Sequence, residues 1–184
     1  MESYIQWVQD NPMTSAAVQF GLLGTVGEII SCSIKARQFA LPGKGYQVAA
    51  KVLAWAVLGI VIKYGFAGMK GFTRALLDHQ MLPSIFDSGI GWAFAVSVLT
   101  NVFFGPQMML LHRLEDNLIS WERNLVGLTA AWWTLLWFWI PAHTVTFSLP
   151  TEYQIGLAAI WSVVLGVILG LSKGPKKSTS SQEG

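Results

Sequence analysis

Long unbroken apolar runs, rather than alternating positions, dominate the chain. Five stretches stand out: about 13–34, 46–66, 89–111, 125–143 and 152–171. A bilayer core of about 30 Å needs about 20 apolar helical residues to cross it. The period-two alternation of a membrane barrel is missing, so helices are the structures left that satisfy a backbone in lipid. The pattern predicts an all-α integral membrane protein, a bundle of four to five transmembrane helices over residues 13–172. The fourth stretch is the weakest of the five. If it only dips into the membrane, both chain ends fall on one side.

The polar punctuation agrees. Asn11-Pro12 opens the first span and Pro42-Gly43-Lys44-Gly45 reads as a turn. Pro83-Ser84 and Asp87-Ser88 precede the third span. Pro150-Thr151-Glu152 starts the last helix, with an acid in the first turn where the helix dipole favours it. Residues 1–12, with Tyr4, Ile5, Trp7 and Val8, form an N-terminal segment read either as a short interfacial helix or as a frayed end. They carry Glu2 and Asp10 and no Lys or Arg, unlike a secretory signal or an Arg-rich transit peptide. Residues 173–184 are polar and Ser-rich and are expected to be disordered.

Between Gly65 and Leu82, Gly65, Gly68 and Gly71 are expected to loosen the helix. Lys63, Lys70 and Arg74 share a face at i, i+7 and i+11. The segment reads as a short amphipathic interfacial helix, with Lys70 and Arg74 meeting lipid headgroups or forming an anion funnel at a pore mouth.

Two spans carry small-residue faces. Ala17, Gly21, Gly24, Glu28 and Ser31 recur at i, i+4, i+7, i+11 and i+14. Such faces let membrane helices approach closely, so Gly21, Gly24 and Gly27 read as packing residues and Glu28 points into the bundle. An unpaired carboxylate there costs several kcal/mol, so it needs a partner or a proton. Lys51, Lys63 and His143 are the candidates, and the role of Glu28 is either functional or structural. The last span repeats the device with Ala159, Ser162, Gly166 and Gly170. The third holds Ser97, Asn101 and Gly105 before Pro106, a predicted kink. In the fourth, Trp132, Trp133, Trp137 and Trp139 read as an aromatic belt. Pro141, a second kink, then begins a broken polar stretch through His143, Thr144 and Thr146, tolerated at membrane depth only against protein or water. Glu28, Ser31, Lys63, Asn101, His143 and Thr146 are the candidates for a pore or polar core.

Composition narrows the class. Apolar residues make up 53% of 184, charged residues 12%, and there are nine Trp. Disorder is excluded by that mix, and so few charges cannot dress a soluble fold. The single Cys32 rules out an internal disulfide or a cysteine zinc site. A net charge of +2 is too small for a nucleic-acid partner. Five spans would place Lys35, Arg37, Lys44, Arg113, Arg123, Lys173, Lys176 and Lys177 on one side and Lys70 and Arg74 on the other. That asymmetry puts the C-terminus on the cytoplasmic or matrix side.

Catalysis finds no support. His79, His112 and His143 lack i+3 or i+4 partners for a metal, and no nucleophile–base pair is visible. Gly21-x-x-Gly24-x-x-Gly27 lacks the strand and spacing of a phosphate loop. The chain reads as a non-enzyme without metal or cofactor.

Several segments resemble a known family. Asn11-Pro12 followed by Gly21-Leu22-Leu23-Gly24-Thr25-Val26-Gly27-Glu28-Ile29-Ile30-Ser31 is similar to the opening of the Mpv-seventeen / twenty-two-kilodalton peroxisomal membrane protein family, with its Gly-acid-Ile-x-Ser motif. Gly68-Met69-Lys70-Gly71-Phe72 through Pro83 resembles its Gly-Trp-Tyr-Lys helix. Thr100-Asn101-Val102-Phe103-Phe104-Gly105-Pro106 is similar to its Asp-Gln…Phe-x-Pro kink. Trp139…His143…Thr146-Phe147…Leu149-Pro150 resembles its C-terminal signature. The departures are Glu28 for Asp, Thr100-Asn101 for Asp-Gln, a proline displaced by one to Pro141, His143 and Thr146 for Gln and Asn, and Trp161 a turn early. The resemblance implies a divergent member in the mitochondrial inner membrane, a peroxisomal membrane or a bacterial plasma membrane. It also implies a weakly selective channel for small solutes, tied to membrane potential or metabolite balance. The alternative reading is a non-transporting accessory subunit of a larger membrane complex. Membrane lipids, and a homo-oligomer or such a complex, are the expected partners.

Overall fold

A computed structural model describes residues 2–121, 123, 125 and 127–172, and the tail expected at 173–184 lies outside them. All regular structure among the described residues is helical. The helices are α1 (Glu2–Asp10), α2 (Pro12–Ala36), α3 (Gly45–Asp78), α4 (Gly89–Leu99), α5 (Gly105–Ser120), α6 (Leu128–Thr134), α7 (Ile140–Phe147) and α8 (Thr151–Ser172). A π-helical turn, Thr100–Phe104, joins α4 to α5, and another, Leu135–Trp139, joins α6 to α7. Among the described residues, four helical runs are long and apolar enough to cross a membrane: Pro12–Ala36, Gly45–Asp78, Gly89–Ser120 and Thr151–Leu171. In the most apolar window of α3 only 17% of residues are buried, and Leu22, Leu53, Val57 and Phe103 stand exposed. Apolar side chains facing outward at this density have lipid as their solvent. The fold is an all-α membrane bundle.

α2 is the spine, packed between α3 and α8. Against α3 the contacts run in opposite senses, with Gly59 on Ala16, Ala56 on Gly21 and Lys51 on Glu28. Against α8 they run in the same sense, from Gln19 beside Gly156 through Gly27 beside Gly166 to Ile34 beside Gly170. A Cβ on Gly21 would sit 3.2 Å from the Val52 carbonyl, and one on Gly166 would sit 2.9 Å from the Gly27 carbonyl. The glycines thus set the spacing on both faces of α2, the contact that lipid-embedded helices use in place of hydrophobic collapse. α5 runs antiparallel to α3, since Gln47 donates to the Ile119 carbonyl while Gly65 meets the Phe104 ring. Lys35, Arg37, Lys44, Arg113 and Arg123 therefore share the end where α2 and α5 finish, opposite Lys70 and Arg74.

Two expectations about the elements need correction. The second apolar stretch does not stop near Phe66 with a separate interfacial helix after it. One helix continues through Gly65, Gly68 and Gly71 to Asp78. A mid-helix glycine costs only about 1 kcal/mol, less than the backbone bonds that a break near the membrane would forfeit. The stretch from Pro141 to Thr146 is not broken either. It is helical, with Thr144 and Thr146 hydroxyls donating to the Ile140 and Ala142 carbonyls at 2.8 and 2.9 Å. The irregularity sits one turn earlier, in the π turn, and the run from Leu128 to Phe147 spans about 30 Å at 1.5 Å per residue. Of the two readings of residues 1–12 the helix is the one that forms, as α1, and it is docked onto the bundle. Val8 is buried, the Tyr4 hydroxyl donates to Gln19 at 2.9 Å, and Gln9 donates to Glu152 at 2.9 Å. Burial, with Tyr153 alongside, pushes the Tyr4 phenol above its ordinary value.

Candidate functional site

Glu28 faces α3, and of its three proposed partners the structure supplies Lys51. The Lys51 ammonium lies 2.8 Å from one Glu28 oxygen and 2.6 Å from Asp116 of α5. The indole N–H of Trp55 donates to the other Glu28 oxygen at 2.7 Å. Lys51 is 7% exposed and lies about 9 Å in from the start of α3 at 1.5 Å per residue. One ammonium thus holds two carboxylates from two helices and ties α2, α3 and α5 together. Each ion is expensive to bury alone, so both carboxylates depend on the shared Lys51 cation. Trp55 also tilts against His112, with ring centroids 4.6 Å apart.

A second polar node lies deeper, where the two π turns meet. The Ser97 hydroxyl donates to the Ile140 carbonyl at 2.7 Å. The Asn101 amide nitrogen donates to the Ser97 carbonyl at 2.8 Å and reaches Nδ1 of His143 at 3.2 Å. A flipped amide would set two oxygens against each other, so the geometry fixes the amide nitrogen toward Ser97. His143 Nδ1 then accepts, and its ring proton sits on Nε2. The opposite Asn101 atom, Oδ1, is buried with no hydrogen-bond partner among the described residues, as is the Thr100 hydroxyl.

A cavity of about 100 Å³ lies between these nodes. Phe20, Trp55, Phe66, Phe104 and Trp139 give it an aromatic wall, Met108 and Met109 a flexible one, and Thr100, Asn101, His112 and His143 its polar points. A larger groove of about 430 Å³ lies beside it, lined by Val102, Pro106, Trp132 and Trp133. Asn101 and Leu135 belong to both walls. The kinks expected at Pro106 and Pro141 become wide turns. Each proline follows a π turn and stands in the first turn of the next helix. Proline clashes with the carbonyl four residues back, and the widened turns Thr100–Phe104 and Leu135–Trp139 hold those carbonyls, of Val102 and Trp137.

Other sequence candidates fall outside the cavity wall. Ser31 is half-buried a turn beyond Glu28 and takes no part in the ion cluster. Thr146 is buried but spends its hydroxyl on its own helix. Lys63 sits with Lys70 and Gln154 around a separate small cavity. Neither Lys70 nor Arg74 forms a free basic stripe. Lys70 donates to Gln154 at 3.1 Å, while Arg74 pairs with Asp87 and lies 4.6 Å over the Trp92 ring. Trp132, Trp133 and Trp137 face outward, whereas Trp139 turns inward against His143, 5.0 Å between centroids. Sequence reasoning missed Asp116, His112, Trp55 and Thr100. Asp116 stood in Arg113-Leu114-Glu115-Asp116-Asn117, which reads as a loop until α5 is seen to continue to Ser120. The chain matches no protein-family model, no curated protein and no solved structure.

Proposed function

We propose that this protein passes small solutes across its membrane with weak selectivity, through the cavity between the ion cluster and the Asn101–His143 node. The supporting observation is a cavity within the bundle whose wall includes Thr100 and Asn101, residues whose side-chain oxygens Oγ1 and Oδ1 are buried with no hydrogen-bond partner among the described residues. Polar atoms in such a place cost stability unless something bonds to them, and polar groups inside a membrane bundle are candidates for lining a solute path. The two π turns that widen the helices at this level support the same reading, since such turns gather at functional sites. The Glu28–Lys51–Asp116 cluster stands toward the basic end of the bundle and serves as the closure on that side. The resemblance to the Mpv-seventeen family adds support for transport over catalysis, and for the mitochondrial inner membrane ahead of a peroxisomal or bacterial plasma membrane.

The test is reconstitution of the purified chain into vesicles and planar bilayers. Tracer flux or conductance above empty membranes is expected, altered by Glu28→Gln. Neither signal, across pH and voltage, refutes transport. A fixed stoichiometric partner on native purification, with both signals absent, replaces it with the accessory-subunit reading.

A further inference from the structure

We infer that Lys63, Lys70, Thr151 and Gln154 form a seat for the phosphate of an anionic phospholipid, at the end of the bundle opposite its basic end. These four residues line one small cavity between α3 and α8, together with Phe66 and Ile155. Among the described residues no Asp or Glu side chain lines it. Gln154 is 5% exposed, and both ends of its amide are committed. The nitrogen donates to the Leu149 carbonyl at 2.9 Å, and the oxygen accepts from the Lys70 ammonium at 3.1 Å. Lys70 is thereby held at the wall with further N–H donors to offer. Lys63 makes no ion pair among the described residues, and its charge bears on both Lys70 and Glu152. Glu152 is bound by Gln9 and does not line the cavity. Two ammonium groups against that one carboxylate leave one positive charge in excess, the complement of a phosphodiester monoanion.

Size and depth select the same guest. The cavity measures about 50 Å³. One water needs about 10–15 Å³ of such space, so it has room for about four oxygens, the number that a phosphate carries. At 1.5 Å per residue, Lys63 lies about 27 Å and Lys70 about 38 Å along α3 from Gly45. The two ammonium groups therefore straddle the far edge of a bilayer core about 30 Å thick, the level of the headgroup phosphates. The cavity is open to that layer, because Ala67 and Thr151 in its wall are exposed. A Cβ on Gly68 or Gly71 would meet nothing, so no bulk beside Lys70 obstructs the rest of a lipid. The glycines that do not break α3 keep the approach to this seat clear.

The experiment is native mass spectrometry of the full chain in a neutral detergent, titrated with phosphatidylglycerol and with phosphatidylcholine of the same acyl chains. The two share a phosphodiester, and only the second carries its own cation. Each lysine is expected to contribute about fivefold, so phosphatidylglycerol should bind about 25-fold more tightly than phosphatidylcholine. Lys63→Gln and Lys70→Gln should each reduce that preference to about fivefold, while Lys63→Arg, which keeps the charge, should retain it. Lys35→Gln, at the opposite end, should leave it unchanged. Ala67→Phe keeps both charges and obstructs the mouth from an exposed position, and should remove the preference. Equal binding of the two lipids, an equal loss in Lys35→Gln, or a preference that survives Ala67→Phe each overturns the inference, since each is the behaviour of diffuse charge attraction. Complete displacement of phosphatidylglycerol by an equal concentration of inorganic phosphate also overturns it, by making free phosphate the ligand.

Discussion

Replacing Lys51 with methionine isolates what the ion cluster does. Methionine keeps the stem and removes the charge, so packing between α2 and α3 is preserved. The Glu28 and Asp116 carboxylates, with side chains 20% and 28% exposed, then share a half-buried site with no cation between them. Breaking a buried pair from one side costs about 3–5 kcal/mol. For a chain of this size each kcal/mol shifts the midpoint by about 2–4 °C, so Lys51→Met should lower it by roughly 10 °C. Glu28→Gln is the control. Its amide oxygen still accepts from Trp55, and the remaining Lys51–Asp116 pair is balanced in charge. That change should cost under about 1.5 kcal/mol, the worth of one hydrogen bond. Thermal unfolding in mild detergent, followed by far-ultraviolet dichroism, reads both. The diagnostic result is the asymmetry between the two variants. If Lys51→Met stays within about 2 °C of the parent, or the two variants fall by the same amount, the cluster does not join these helices and the reasoning fails.

Further outcomes are expected from other contacts. Gly24→Ala places a methyl group inside the Trp55 ring and should cost about 1–3 kcal/mol by overpacking. Gly68→Ala meets open space and should gain up to about 1 kcal/mol; matched unfolding curves would contradict both. Trp133→Phe with Trp137→Phe should reduce fluorescence quenching by brominated lipid, and Trp139→Phe should not, because only the first two face outward. Arg74→Gln removes an exposed pair with Asp87 and should change stability by less than about 1 kcal/mol; a midpoint drop beyond about 5 °C would contradict this.

The apolar runs and their proline and glycine boundaries made the spans readable, because lipid leaves a backbone little choice. The inward face of α2 was readable for a similar reason, since Gly21, Gly24 and Glu28 recur at helical spacing. What the pattern hid were features decided by tertiary context. A glycine triplet looks like a break, yet α3 runs through it because the alternative strands carbonyls in lipid. The π turns have no composition of their own. Their trace is a proline two residues downstream, Pro106 or Pro141, whose clash the wider turn relieves. Four tryptophans in a short run look alike, and only the neighbours of Trp139 reveal that it turns inward. Asp116 was invisible as a partner of Lys51 because their meeting depends on α5 extending beyond its apolar part.

The flanking of α2 by α3 on one side and α8 on the other has a consequence for biogenesis. The hairpin of α2 and α3 can form as soon as both are in the bilayer, but the Gly27 face waits for the last helix. Everything from Arg37 to Pro150 is made first, which takes on the order of 10 s at ribosomal speed. During that interval a strip of bare backbone faces whatever the insertion machinery or the lipid offers. Closure of the bundle is therefore a late event, and a nascent chain halted before α8 would present that strip to quality control.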